Sequence, residues 1–534
     1  MAANPQKLKA RLDALKGARS LHENTWRECF DYSLPALSAG FNGTLANTAG
    51  EVQSQKARLL DGTASDALKT MADGFMGGLT PANSRWFAMD IGNETQAERR
   101  WLDESSDIIW ENIHASNFDA EAYDAMLYLA GAGSFALYQD EHETGGYYFE
   151  NWPLSECFFA SSRQAQRVDT IYREFQIPAA VAVHTYGMES VSQQVRDMVA
   201  KGQADQPVPI LLAIEPRTDY LPGSSIANQL PFSSCHMETG TLHVIKEGGY
   251  HEFPVICPRW YRLPGSVYAL GPMSDALPDV KSLQEVKRWE FAAAETAIAP
   301  PMVAVDDGVL NPRMIKLGPR KIIVANDVDS IKPLVTGARV DFGQMIVADL
   351  QASVRRILMA DLFQKLLDDP RMTATQVHAI VGVLRQRMGP RFGRFQSEYL
   401  QPLVERSFGI ALRAGILGRP PESLMNRDYT VRFLSPLARS QKLEDVSAMD
   451  RHETALITEA QAVPTVLDTY DWDAAQRYRA ELLGVPQKLI PDARQVQAVR
   501  DQKAQAQQAA MQQQVAMAAQ QKGAETLATN LAGA

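Results

Sequence analysis

Histidine followed by glutamate occurs at His22, His142, His251 and His452. This pairing serves zinc hydrolases when a second histidine stands four residues after the first, so that both ligands share one helix face. Positions 26, 146, 255 and 456 hold Trp, Gly, Val and Leu, so that metal site is not written here. The cysteines Cys29, Cys157, Cys235 and Cys257 never reach CxxC spacing, which argues against a zinc knuckle or a dithiol. Reduced, buried thiols are the expectation. No GxSxG elbow and no GxxxxGK[ST] loop is present, which leaves neither an activated serine nor a phosphate cradle of the ATPase kind. Gly74-Phe-Met-Gly77-Gly78 is glycine-rich, yet it closes a helical pattern instead of opening one. Gly131-Ala-Gly-Ser134 reads as a turn into a strand.

Carboxylates pair at Asp306/Asp307, Asp327/Asp329, Asp368/Asp369 and Asp471/Asp473. Two such pairs could hold two metals in a nuclease. Each pair nevertheless falls where a turn or helix end is expected, and aspartate serves local hydrogen bonding there. A mild basic excess marks 302–340, where Arg313, Lys316, Arg320, Lys321, Lys332 and Arg339 outnumber Asp306, Asp307, Asp327 and Asp329. The expected cofactor list is empty.

The elements that must carry these residues follow from pattern. The 534 residues exceed a single core, and 45% hydrophobic with 22% charged residues excludes wholesale disorder. A net charge of -10 argues against a general nucleic-acid coat, which needs a basic face, but not against a surface that DNA slides past. The N-terminus lacks the apolar core of a secretory signal, and no run of about 18 apolar residues occurs, so no spanning helix and no membrane partner are expected.

Helical spacing predicts helices over Pro5 to Trp26, where Leu8, Leu12, Leu15 and Leu21 roughly follow it, and over Ser54 to Leu79, Glu94 to His114 and Asp119 to Ala130. Between Ser134 and Trp260, short β-favouring runs alternate with turn signals. Thr144-Gly-Gly and Glu247-Gly-Gly are the hairpin candidates, and one helix near Pro178 to Tyr186 interrupts the sheet. A long helix over Ser274 to Ala299 stops at Pro300-Pro301. After a compact insert, Phe342, Ile346, Leu350, Val354, Ile357, Leu358, Leu362 and Leu366 form a stripe at helical spacing that ends before Pro370. A third long helix starts at Thr373 or Thr375, kinks at Gly389-Pro390 and reaches about Ala414. The Ala/Gln-rich stretch beyond Pro491 could form one more helix, marginal by itself in water. The fold class is α+β, mainly α-helical.

Several segments in order carry a family likeness. Leu59-Leu60-Asp61-Gly62-Thr63-Ala64, then Leu79-Thr80-Pro81 and Trp86-Phe87, resembles the start of head-to-tail connector (portal) proteins of short-tailed bacteriophages. Gly248-Gly249-Tyr250-His251-Glu252-Phe253-Pro254 through Pro258-Arg259-Trp260 continues it. Tyr268-Ala-Leu-Gly271-Pro272, Ala276-Leu277-Pro278-Asp279-Val280-Lys281 and Ala299-Pro300-Pro301 follow. Thr373-Ala-Thr375-Gln376-Val377, Gly389-Pro390, Glu398 and Pro402-Leu-Val-Glu-Arg406 complete the series. Gln376 departs from the glutamate often found there. The likeness covers roughly 20 to 450.

The resemblance implies the portal fold assembled as a ring, usually of twelve subunits, at one capsid vertex. It implies a wing over 1–273, stem helices over 274–299 and 341–367, a clip over 300–340 and a tunnel loop over 368–376. A kinked helix with more wing would occupy 377–450, and a crown or barrel 451–534. The partners implied are other copies of the chain, duplex DNA in the channel, the terminase large subunit, a tail adaptor, and the major capsid and scaffolding proteins. The implied location is the virion, after assembly in the host cytoplasm. Lys365, Asp368, Asp369 and Arg371 are the DNA-channel candidates, and Arg313, Lys316, Arg320 and Lys321 the clip docking candidates. No catalytic residue is expected. The alternative is a minor capsid or tail adaptor protein without a DNA channel.

Overall fold

The computed structural model describes residues 4–41, 49–90, 95–162, 167–304, 331–333, 340–368, 386–424, 430–433, 436–461, 463–483, 485, 490, 495–511 and 513. The chain divides into two compact units. One comprises Met1–Trp86, Ile109–Ile416 and Ser435–Ser440; the other comprises Phe87–Ile108, Leu417–Leu434 and Gln441–Ala534.

The larger unit is built around helix α5 (Phe118–Ala132), whose Ala122, Ala125, Met126, Leu129, Ala130 and Ala132 are buried. It packs against α1 (Pro5–Asp31), α3 (Thr63–Leu79) and α8 (Pro272–Ile298). Asn4 caps α1 by accepting the N–H groups of Gln6 and Lys7, with Pro5 in the first turn, where its missing N–H costs nothing. The sequence expectation put Leu21 on the apolar face of this helix. It is exposed instead, and Arg19, Glu23, Trp26, Cys29 and Phe30 are buried. Arg19 belongs inside because its guanidinium donates to the carbonyls of Leu154, Ser155 and Cys157 and pairs with Glu23 at 2.6 Å.

A five-stranded antiparallel sheet runs in the order β4 (Cys157–Ala160), β5 (Thr170–Pro178), β6 (Pro207–Pro216), β7 (Phe232–Glu238), β8 (Val244–Tyr250). Side chains alternate across it, as a pleated strand requires. Leu211 and Ala213 of β6 meet Leu12 of α1, whereas Val208 and Ile210 meet Ala179, Ala182, Val191 and Val195. The latter belong to or flank α6 (Ala179–Tyr186) and α7 (Gln193–Ala200), the second of which sequence reading did not anticipate. A second sheet has the order β3 (Tyr147–Trp152), β2 (Ala136–Glu141), β9 (Val255–Ile256). The Thr144-Gly-Gly hairpin is present between β2 and β3. A short ribbon of β10 (Tyr261–Arg262) and β11 (Ala269–Leu270) leads into α8.

Glu247-Gly-Gly is not a turn. Gly248 and Gly249 lie inside β8, opposite Ser234 and Ser233. A Cβ at Gly249 would stand 2.3 Å from the Ala227 carbonyl oxygen, so close backbone approach is what demands glycine there. The chain reverses instead at 239–243, with Leu242 at φ 56°. The expected helix over Ser54 to Leu79 is likewise two helices, α2 (Ala49–Lys56) and α3. The break is held by Gln284, whose Oε1 accepts the N–H groups of Leu60 and Asp61 at 2.7 and 3.2 Å.

In the smaller unit, β1 (Phe87–Asp90) pairs with β14 (Thr430–Phe433). Trp101 of α4 (Gln96–Ala115) donates its indole N–H to the Leu417 carbonyl. Residues 495–511 are helical, and nearly all the side chains of that stretch are exposed. Arg500 on it pairs with Asp473 at 2.6 Å. All four cysteines are buried and unpaired. Burial pushes the Cys29 thiol up to about 11 and those of Cys157 and Cys235 up to about 12.

Candidate functional site

Helix α8 begins on Pro272 and ends at Ile298, where Ala299 precedes the Pro300-Pro301 pair that cannot continue a helical ladder. Its two halves differ. Pro272, Met273, Ala276, Leu277, Val280, Leu283 and Gln284 are buried. No residue from Glu285 onward is, and Trp289, Phe291 and Ile298 are 66%, 57% and 85% exposed. Helix α9 (Val340–Ile357) packs along α8. Between them β12 (Met302–Ala304) and β13 (Ile331–Pro333) form an antiparallel ribbon, so the insert leaves and returns through adjacent strands. Met302, Val303 and Met345 of this region are also exposed.

The base of the helix pair is fastened by polar contacts. Gln284 Nε2 donates to the Asp61 carbonyl at 2.9 Å, and Gln351 Nε2 donates to the Asp61 carboxylate at 2.7 Å. Asp61 also accepts the Thr63 N–H at the start of α3. Ser353 Oγ donates to Asp279 at 2.7 Å, and Lys281 pairs with Glu28 at 2.9 Å. One aspartate therefore ties α3, α8 and α9 together. On the bare half, Lys287–Glu290 and Arg288–Glu285 are pairs within the helix, worth only a few tenths of a kcal/mol each.

The expected single stripe over 341–367 is broken. Helix α9 stops at Ile357, Met359 adopts φ 57°, and α10 (Ala360–Asp368) sets off again. The break turns Phe363 onto Gly74, where a Cβ would lie 2.1 Å from the ring. Gly74 is thus a packing glycine inside α3. Phe75, Phe363, Trp260 and Phe395 form an aromatic cluster with ring centres 5.6 to 5.8 Å apart. Arg259 beside Trp260 is bound through 2.6 Å to Glu398, and both side chains are nearly buried.

The expected start of the third helix, at Thr373 or Thr375, lies outside the described residues; 386–388 are helical, and the helix breaks at Gly389 as expected. Gly389 has φ 47° and ψ -129°, a region open essentially to glycine, and α11 (Pro390–Phe395) begins directly after it. Residues Gln396–Leu400 form a wide π turn before α12 (Gln401–Arg413). Pro402 explains the turn, since it offers no N–H to the carbonyl of Glu398 four residues back. Arg406 then donates to the carbonyls of Gln139 and Glu252, and Arg413 pairs with Glu252 at 2.6 Å.

The DNA-channel candidates divide. Lys365 and Asp368 are in α10, but their side chains lie outside the described residues, as do Asp369 and Arg371 altogether. Arg313, Lys316, Arg320 and Lys321 also lie outside them. The fastening residues Gln284, Gln351 and Ser353 gave no signal in sequence; Asp61 did, by standing inside a likeness-bearing segment.

A helix pair anchored at one end and carrying bare apolar side chains at the other is the construction of a protein that assembles. The chain matches the family described as bacteriophage head to tail connecting protein over residues 5–490, and it belongs to that family. It is 29% identical over 513 residues to the probable portal protein of Bordetella phage BPP-1, covering 94% of this chain and 91% of that one. It is 27% identical over 542 aligned residues to the portal protein of Salmonella phage epsilon15, covering 98% and 95%. The family is one of structural proteins, and the role of this chain is that of a head-to-tail connector. No described helix is long and apolar enough to cross a membrane.

Proposed function

We propose that about twelve copies close into a ring at one vertex of the phage capsid, with a central channel for duplex DNA during packaging and ejection. The reading rests on family membership and on α8, which is partly buried along its first half and bare along its second. Residues 274–299 and 341–367 form the stem, 300–340 the clip, 368–376 the tunnel loop, 1–273 and 377–450 the wing, and 451–534 the crown. The terminase large subunit and later the tail adaptor dock on the clip through Arg313, Lys316, Arg320 and Lys321. Major capsid and scaffolding proteins surround the wing during assembly in the host cytoplasm. Lys365, Asp368, Asp369 and Arg371 offer passing DNA weak contacts of either sign, so that no deep electrostatic well arrests it. With a charge of -10 on each copy, the ring repels phosphate overall, which keeps DNA moving. The chain carries out no catalysis; packaging energy comes from the terminase.

The observation that carries this reading is the exposure of Trp289, Phe291 and Ile298 on one half of a helix whose other half is buried. Exposed apolar side chains gathered along one segment mark a surface that meets another chain. Trp289→Asp with Phe291→Asp is expected to leave the circular dichroism and thermal unfolding of the subunit unchanged while abolishing rings in negative-stain images. Normal rings from this variant would remove α8 from the subunit contact.

A further inference from the structure

Every polar group of Asp61 is engaged, and the partners stand on three helices. Its N–H and its carbonyl are both taken by the side-chain amide of Gln284 on α8, at 3.2 and 2.9 Å. One carboxylate oxygen accepts the Thr63 N–H of α3 at 2.9 Å, and the other accepts Gln351 Nε2 of α9 at 2.7 Å. Gln284 is 6% exposed, and its Oε1 accepts the Leu60 N–H as well. A buried amide bonded to backbone on both its donor and acceptor sides holds its partner in one orientation. Helix α3 is in turn seated in the body of the larger unit, with Ala64, Ala67, Leu68, Met71, Ala72 and Phe75 buried. Two further fastenings of the helix pair are of another kind. Ser353 with Asp279 joins α9 to α8 and leaves the body out. Lys281 with Glu28 reaches α1 through side chains 40% and 46% exposed, where an ion pair contributes little.

Asp61 therefore stands at a fulcrum. Beyond Gln284 no residue of α8 is buried, and about 20 Å of helix runs from there to Ile298. A ring of identical head-to-tail contacts closes at a number fixed by the angle between a subunit's two contact faces. Going from twelve members to thirteen changes that angle by only about 2°. Over about 20 Å of helix, such a tilt displaces Ile298 by less than about 1 Å. A joint with more play than that would not select one ring. We propose that Asp61, gripped by Gln284 and Gln351, is a positioning residue that sets the inclination of α8 and α9 to the body, and through it the number of subunits in the ring. This rests on the ring reading, with the bare half of α8 as a subunit contact, and adds to it the residues that choose ring size.

The test uses the full-length protein and reads ring mass by native mass spectrometry beside thermal unfolding of the subunit. Gln351→Glu sets a second carboxylate against Asp61 and leaves the bonds of Thr63 and Gln284 in place. Its ring masses should shift or spread by at least one subunit, 59.0 kDa, relative to wild type. Asp61→Asn combined with Gln351→Glu keeps an oxygen for the Thr63 N–H and turns an N–H toward position 351, so donor and acceptor are exchanged across the same contact. This double variant should bring the wild-type ring mass back. A contact that only stabilised the subunit would move the melting temperature and leave ring mass constant. Should Gln351→Glu fail to fold, Gln351→Leu removes the bond at similar size without adding a charge, and the same shift is expected. Wild-type ring mass from both single variants would overturn this proposal and leave the ring reading standing. So would a shift that the double variant leaves uncorrected, or an equal shift in Lys281→Ala, which cuts the exposed link to α1. Folded single variants that form no rings would also overturn it, by making the contact a condition of assembly instead of ring size. Wild-type protein that stays monomeric would overturn both readings.

Discussion

Glu398 accepts both the side chain and the backbone of Arg259, 139 residues earlier in the chain. Its Oε1 receives Nη2 at 2.6 Å, and its Oε2 receives Nε at 3.1 Å and the backbone N–H at 3.0 Å. The side chains are only 2% and 10% exposed, so each group depends on the other for solvation. The pair fixes the π turn of 396–400 against the strand-end segment that carries Trp260, and so positions the aromatic cluster beneath α10.

Removal of one partner leaves the other charge buried and alone. Glu398→Ala is expected to cost about 3–5 kcal/mol, read as a lowered denaturation midpoint. Replacing both residues with apolar ones of similar volume should recover much of that stability. A single substitution costing less than about 1 kcal/mol would show that water or another group satisfies Arg259.

Gly74 offers a second test, in packing. With a Cβ placed 2.1 Å from Phe363, Gly74→Ala forces the ring or α10 to shift, at about 1–3 kcal/mol. Combining it with Phe363→Leu should cost less than the two changes summed, by about 0.5–3 kcal/mol. Strict additivity in urea unfolding would mean that α10 does not rest on α3.

His236 predicts a pH dependence. Burial, and then the cross-strand Lys246, pull its pKa from 6.5 down to about 4, while its Nδ1 lies 3.0 Å from the Tyr186 hydroxyl. The unfolded chain therefore takes up the proton first. The contribution is complete above pH 6.5 and is lost progressively as pH falls towards 4, by about 3 kcal/mol at most. His236→Gln should flatten the difference in stability between pH 7 and pH 4 relative to wild type. Parallel curves for the two proteins would exclude His236 as the cause.

Much of this was legible in the residues because proline and glycine act locally. Pro300-Pro301 ends α8 where the sequence says it must, and Gly389-Pro390 breaks the third helix at the expected place. What escaped was imposed from a distance. The stripe from Phe342 to Leu366 has no proline, and its one glycine, Gly343, stands far from the break; the left-handed Met359 accompanies the packing of Phe363 over Gly74. The gap at 57–62 is stabilised by Gln284, more than two hundred residues away. Glu247-Gly-Gly misled because glycine serves close approach as well as turning. Leu21 fitted the helical spacing only roughly, and the buried positions opposite the sheet went to Arg19 and Glu23, whose polar partners no periodicity could reveal.

The proposed function requires that copies of this chain close around a channel. Native mass spectrometry of the purified full-length protein at micromolar concentration, at low and high salt, measures that directly. One dominant species of about twelve subunits is expected, retained at high salt because the contact through Trp289, Phe291 and Ile298 is apolar. Monomers alone under both conditions would contradict it.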